Sequence, residues 1–402
     1  MRVALVSPYS WSYPGGVTRH VMALAEQLRS EGNHVRVLAP FDPPGRRAAL
    51  LHQGSVPQPM SVPNDLVTLG PTVGVSANGA VSNLAVTASA TRIMLRELRT
   101  GCYDVVHIHE PVAPPIGWFA AARVQSPLVG TFHAYSENPV SNGIANFFGA
   151  RRVLDRLHVR IAVSEAAAWT GRHWFGGQYR VVPNGVHVRC REVGRGATRR
   201  PSERLRLVFV GQPVQRKGLP VLLDAFRLLR HDMLVDLVLV GPSPEDLPAG
   251  LCRGLGIRAL GKVEDETKWC ELERADVLCA PSLGGESFGM VLTEAFAAAT
   301  PVVASDIAGY RDVVRHGVNG MLVPPADSQA LAETLRELCA RPKQLAALSH
   351  AAVAAAERFA WPTVAASVVD AYLDAIAAHR TRASRGRAAV GGTRAALSAA
   401  RG

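Results

Sequence analysis

The chain has 402 residues, of which 48% are hydrophobic and 19% charged, and its formal net charge is +11. That length supports two or three domains, each with its own core, and the composition excludes a disordered, fibrous or collagen-like chain. The excess of positive charge suits an anionic partner: a nucleotide diphosphate, an acidic lipid surface or nucleic acid.

Residues 2–6 form a short apolar strand followed by Ser-Pro, which is not the apolar segment of a signal peptide. Pro14-Gly15-Gly16-Val17 then opens a helix. Glycines let backbone approach a phosphate closely, although a plain turn leaves the same trace, and the spacing is not the dinucleotide fingerprint G-x-G-x-x-G. Further strands are predicted at 35–38, 105–108, 128–131, 160–163 and 179–182. The helix 88–98 carries Arg92, Arg96 and Arg99 beside Met94, Leu95 and Leu98, a pattern that fits interfacial membrane docking or an ordinary packed surface helix. His107 and His109 flank Ile108 on a strand and so share a face. They could ligate a metal, but packing or capping is the simpler role. His133 follows the strand 128–131. Residues 188–204 are irregular, rich in Arg and interrupted by Gly194, Gly196 and Pro201, as in a linker.

Strands resume at 206–210, 236–240, 277–280 and 302–304. Short apolar strands alternating with helical patterns in both halves predict parallel α/β units with both sheet faces covered. In such sheets, ligands bind beyond the carboxyl ends of the strands. Arg216-Lys217-Gly218 lies just after one of these strands, where two cations before a helix would clamp a diphosphate. A solvated basic turn is the plainer reading. Glu286-Ser287-Phe288-Gly289 precedes another helix, with Glu294 eight residues after Glu286. Carboxylates at a helix start accept hydroxyl hydrogen bonds from a sugar or ribose, and they also serve as ordinary capping residues. A helical pattern at 362–379 ends the folded part, and the acid-free tail 380–402, with Arg380, Arg382, Arg385, Arg387, Arg394 and Arg401, reads as disordered. The six cysteines form no Cys-x-x-Cys pair, so no zinc site or disulfide framework is expected and a reduced, cytoplasmic setting follows. No apolar run is long enough to span a bilayer, so membrane contact is expected to be peripheral.

Together the segments DVVHIHEP (104–111), TFHAYS (131–136), IAVSEAA (161–167), VPNGV (182–186), FVGQPVQRKG (209–218) and CAPSLGGESFGMVLTEA (279–295), with the glycine-bearing N-terminal stretch, resemble family 4 of the GT-B glycosyltransferases over nearly the whole chain. Among its members they look most like actinobacterial phosphatidylinositol mannosyltransferases. The resemblance implies two Rossmann-like domains facing across a deep cleft: 1–187 on the acceptor side, a linker 188–204, and 205–361 binding the nucleotide-sugar. It also implies a helix 362–379 returning to the first domain. By the same resemblance the donor is a nucleotide-sugar such as GDP-mannose and the acceptor a lipid or glycolipid, with retention of configuration, no cofactor and no nucleic acid. His133, Glu286, Arg216 and Lys217 would form the catalytic group. Gly15, Gly16, Ser287, Phe288, Gly289 and Glu294 would complete the donor site, with Tyr9, Thr18 and Asn83 on the acceptor side. The chain departs from the family pattern at Gln212, where an Arg is usual, at Ser12 for Asp, at Thr18 for Gln and at Asn83 for Arg. No Asp-x-Asp occurs, which favours a metal-free mechanism in which cations and helix N-termini stabilise the leaving diphosphate. A nucleotide-sugar epimerase on the same architecture, or a non-catalytic basic binding protein for membrane or nucleic acid, are the competing readings.

Overall fold

A computed structural model describes residues 1–43, 52, 57, 60–77, 80–189, 204–248 and 256–399. The first sheet has seven strands, β1 (Arg2–Val6), β2 (His34–Ala39), β3 (Leu66–Thr68), β6 (Val105–His109), β7 (Leu128–Phe132), β8 (Val159–Ala162) and β9 (Arg180–Val181), in the order β3-β2-β1-β6-β7-β8-β9. A hairpin of β4 (Val73–Ala77) and β5 (Ala80–Leu84) stands apart from it. The second sheet has six, β10 (Leu205–Val210), β11 (Val235–Val240), β12 (Ile257–Ala259), β13 (Val277–Ala280), β14 (Val302–Ser305) and β15 (Gly320–Val323), in the order β12-β11-β10-β13-β14-β15. Every pairing in these two sheets is parallel. Each order reverses direction beside the first strand of its sheet, the switch point at which doubly wound folds form their crevice. The expected α/β architecture of two Rossmann-like domains is thus present.

Apolar runs such as Val277-Leu278-Cys279-Ala280 are buried along their whole length because helices cover both sheet faces. On one face of the first sheet, the helix Gly16–Ser30 packs with Trp361, Val364, Val368 and Tyr372 of the terminal helix Trp361–Ala399. The helices Ala88–Thr100, Ile116–Arg123 and Ala150–Leu154 cover the other face. Another core joins the two domains, with Ala167 and Ala168 of the first and Phe288, Phe296 and Phe359 of the second.

Several expectations change. Strands β3, β12 and β15 and the hairpin carry three to five residues each, too few to set up a readable period. The backbone of 380–399 continues the terminal helix, where composition suggested disorder; Ala and Arg are both strong helix formers. Met94 and Leu98 are buried in the core, so those two side chains of the helix Ala88–Thr100 are not free for a membrane, whereas Arg92, Ile93, Arg96 and Arg99 are exposed and Leu95 is half-buried. Most of the expected linker, 190–203, lies outside the described residues, as do Cys190 and Cys252.

Candidate active site

The site lies between the two sheets, and its parts come from chain turns at strand ends. After β10 the backbone makes a single 3-10 turn, Gln215–Lys217, and enters the helix Leu219–Leu229 through Gly218. Gly218 has φ of 68°, and a Cβ there would stand 1.8 Å from the Pro281 carbonyl oxygen. Glycine is therefore required for the turn to lie against the end of β13, and this close approach brings Arg216 and Lys217 up to the Glu286 loop. That loop is fixed from its other side by Gly309, where a Cβ would meet the Glu286 carbonyl oxygen at 2.2 Å.

Glu286 Oε1 accepts a hydrogen bond from Arg216 Nη1 and pairs with Lys217 Nζ at 2.8 Å. One carboxylate against two guanidinium and ammonium groups leaves a net positive charge. The helix Met290–Ala297 begins beside it at Gly289 with no side-chain cap, and the helix Gly16–Ser30 begins across the cleft at Gly15, also without one. Two sets of free N–H groups and two positive helix ends therefore flank the cations, an arrangement suited to an anion. Gly16, His133, Arg216, Lys217, Glu286, Ser287, Phe288 and Gly289 line one cavity of about 350 Å³, together with Gln212 and Asn184.

Glu294 lies elsewhere. The helix starts at Met290, so Glu294 sits one turn in, about 6 Å along the axis, rather than the two turns that eight helical residues from Glu286 would span. It lines a neighbouring cavity of about 250 Å³, and Met290 borders both. There Lys268 Nζ pairs with Glu294 Oε1 at 2.8 Å and with Asp265 Oδ1 at 3.2 Å. Arg19, from the opposite domain, reaches Asp265 at 3.3 Å, so an ion pair bridges the cleft over this cavity.

The floor of the cleft is a cluster of imidazoles. His109 Nδ1 lies 3.1 Å from His133 Nε2, and His20 packs edge-on against both rings. His107 is bonded to Tyr372 Oη at 2.9 Å and Thr131 Oγ1 at 2.6 Å, a packing role for the first His of the pair. Burial disfavours the charged form and pushes His20 down to about 4 and His107 down to about 3, with His109 and His133 also well below the ordinary value. His20, His109 and His133 hold their ring nitrogens within 4.8 Å of one another, the one such group among the described residues whose spacing would suit a metal ion. Glu110 is buried beneath His133 and accepts from its backbone N–H at 3.1 Å; burial raises its carboxyl to about 7.

The acceptor-side residues gather round one loop instead. Ser10 N–H donates to the Asn83 carbonyl at 3.0 Å, and the Thr18 hydroxyl donates to the Ser10 carbonyl at 3.3 Å. Tyr9 bridges to Leu84 beside them. Thr18 is buried, with its hydroxyl committed to the loop, and none of the three lines either cleft cavity. Motif reading passed over Arg19, His20, Asp265 and Lys268. No local pattern marks them, since each gains its role only by meeting another element: Arg19 meets Asp265 across the cleft, Lys268 meets Glu294 within the second domain, and His20 packs on His109 and His133 within the first. Asn184, whose buried Oδ1 has no protein partner, was within reach, as it stands inside the VPNGV segment.

The profile of Glycosyltransferase Family 4 matches residues 14–189, and that of Glycosyl transferases group 1 matches 204–341. The chain is 36% identical over 377 residues to the phosphatidyl-myo-inositol mannosyltransferase of Mycobacterium leprae, covering 92% of this chain and 96% of that one. It is 32% identical over 392 residues to the protein of the same name from Propionibacterium freudenreichii, covering 96% and 98%. Among solved structures, Anabaena HepE in complex with UDP superposes with a TM-score of 0.68 at 21% identity, covering 92% of this chain and 99% of that one, a likeness of fold. These matches set aside the epimerase and non-catalytic readings. The chain belongs to glycosyltransferase family 4 and is a sugar-transferring enzyme of two Rossmann-like domains in the GT-B fold.

Proposed function

We propose that this enzyme is a retaining, metal-independent mannosyltransferase that moves mannose from GDP-mannose to the inositol of phosphatidylinositol at the inner face of the cell membrane. One observation carries the reading: Arg216, Lys217 and two uncapped helix N-termini converge on a single cavity with Glu286 and His133 at its edge. That arrangement suits a diphosphate leaving group whose charge grows as the glycosidic bond breaks. The names of the mycobacterial and propionibacterial relatives support the mannosyl group and the acceptor. Among the described residues no helix is long and apolar enough to cross a membrane, so contact with a lipid acceptor would be peripheral.

In this mechanism the second domain holds the nucleotide, with Glu294 in reach of ribose hydroxyls. Arg216 and Lys217 neutralise the departing diphosphate, and Glu286 accepts sugar hydroxyls. The acceptor hydroxyl approaches the same face of the sugar and gives its proton to a departing phosphate oxygen. His133, neutral because it is buried, donates to or accepts from the sugar without adding charge. Tyr9, Thr18 and Asn83 shape the acceptor side through the loop they hold. The test is transfer of labelled mannose from GDP-mannose to phosphatidylinositol in vesicles, with and without EDTA. Labelled lipid in both conditions is expected. Transfer only from another nucleotide-sugar would overturn the donor, and loss of transfer in EDTA would overturn metal independence.

A further inference from the structure

The most capacious cavity described lies outside the cleft, between the helices Ala88–Thr100 and Ile116–Arg123. Its volume is about 520 Å³, against about 350 Å³ and 250 Å³ for the two cleft cavities. Leu95, Leu98, Phe119 and Val124 give it apolar walls, Arg99 and Arg123 also line it, and no acid does. Volume and lining are those of a site for a largely apolar ligand with one anionic group.

The surroundings point to the same ligand. Arg92, Arg96, Arg99 and Arg123 are exposed, and none of their guanidinium groups makes a hydrogen bond or ion pair to the protein among the described residues. Arg99 and Arg123 stand in the last turn of their helices, where a cation offsets the helix dipole, but Arg92 and Arg96 stand mid-helix and have no such reason. Glu97, the acid nearest in sequence, is turned to the Tyr103 hydroxyl at 2.7 Å. The helix Ala150–Leu154 packs beside Ile116–Arg123 and adds exposed Arg151 and Arg152. Just before it, Ile144, Phe147 and Phe148 are 54%, 86% and 67% exposed. Large apolar side chains among unpaired arginines, on neighbouring helices of one domain face, match a bilayer surface with anionic headgroups.

Resting on the membrane setting of the proposed function, we propose that this cavity holds one acyl chain of an anionic phospholipid from the bilayer. Arg99 and Arg123 bind its phosphate, and Phe147 and Phe148 enter the bilayer beside it. This lipid anchors and orients the enzyme and is not the sugar acceptor, whose site is in the cleft.

The experiment is titration calorimetry with a short-chain phosphatidylglycerol below its micelle concentration, alongside its phosphatidylcholine counterpart. Flotation with phosphatidylcholine vesicles containing phosphatidylglycerol accompanies it. The intact chain is compared with Arg99→Glu/Arg123→Glu and with Ser126→Phe, which fills the cavity and leaves the charges. Saturable one-to-one binding of phosphatidylglycerol is expected, at least about tenfold tighter than phosphatidylcholine, and absent in both variants. Flotation should fall roughly fivefold or more for each arginine reversed. Failure of the intact chain to bind the short-chain anionic lipid overturns the proposal, as does binding that survives Ser126→Phe. GDP binding, measured on the same samples, should be unchanged in both variants. It reports folding and the donor site independently, so a missing lipid site and a wrong donor assignment give different results.

Discussion

Lys217 and Glu286 face each other at 2.8 Å, yet the proposed mechanism gives them different ends of the donor. A charged hydrogen bond to a diphosphate contributes about 1.5–3 kcal/mol, so Lys217→Ala should weaken GDP binding by roughly ten- to a hundredfold and leave guanosine binding nearly unchanged. Calorimetry with both ligands checks this, and equal loss for the two would refute a diphosphate role. Glu286→Gln keeps the shape of the side chain and removes its charge. The transfer rate should fall by at least about tenfold, since the interaction matters most as charge develops on the sugar. GDP affinity should hold or rise, because two cations are released from a competing carboxylate. Steady-state kinetics beside GDP titration separate the two effects. Wild-type turnover in Glu286→Gln would leave this carboxylate as a helix-start residue and nothing more.

At the scale of elements, the site depends on short turns that sheets and helices force together. Gly218 joins the 3-10 turn to its helix, and a Cβ would overlap the Pro281 carbonyl. Gly218→Ala adds a left-handed conformation unsuited to alanine to a backbone clash, for a combined cost of roughly 2–4 kcal/mol. Urea unfolding should show that loss. GDP binding should weaken as well, because relieving the clash moves Arg216 and Lys217 away from Glu286. Unchanged stability and affinity would show that the contact is easily relaxed.

Across the whole molecule, one feature ties the halves together and another sets the response to pH. Trp361 begins the terminal helix, is 4% exposed and packs in the core of the first domain. Trp361→Ala should cost about 3–5 kcal/mol by leaving a cavity. Thermal unfolding that stays at the wild-type temperature would mean this crossing does not hold the domains. The second feature is the buried imidazole floor. In the unfolded chain each His takes up a proton as pH falls through about 6.5, whereas His107 resists until about 3 and His20 until about 4. Stability contributed by these groups is present above pH 6.5 and lost as pH falls toward the folded values, by up to about 1.4 kcal/mol per pH unit for each. Glu110, raised to about 7, acts in the opposite sense between its ordinary value of 4.5 and 7, but it is one group against four. Net stability should therefore drop between neutral pH and about pH 5, as followed by urea midpoints. His107→Gln should make that drop shallower even if it lowers stability at neutral pH. A slope equal to the wild type's would show that His107 is charged in the folded protein.

Much of this was legible in the chain itself. Apolar stretches such as 207–210 and 237–240, within the strands expected at 206–210 and 236–240, announce buried parallel strands, because covering both faces leaves no polar alternation to confuse them. The turns that carry Arg216, Lys217, Glu286 and Gly289 were readable too, since each follows a strand and opens a helix, although the approach that pairs Arg216 and Lys217 with Glu286 rests on distant contacts at Gly218 and Gly309. Short strands such as β3 and β12 were not, as three residues draw their conformation from the sheet edge they join rather than from any period of their own. Nor was the fate of the helix Ala88–Thr100, whose sequence fits two environments until packing buries Met94 and Leu98 and leaves the arginines outside. Composition alone misjudged the terminal residues 380–399, whose backbone is helical. What only the tertiary structure decided is everything that spans the cleft. Arg19 of the first domain meets Asp265 of the second across 246 positions of chain. Such pairs have no sequence signature, because their distance is set by how two separately folded sheets are docked, not by the residues between them.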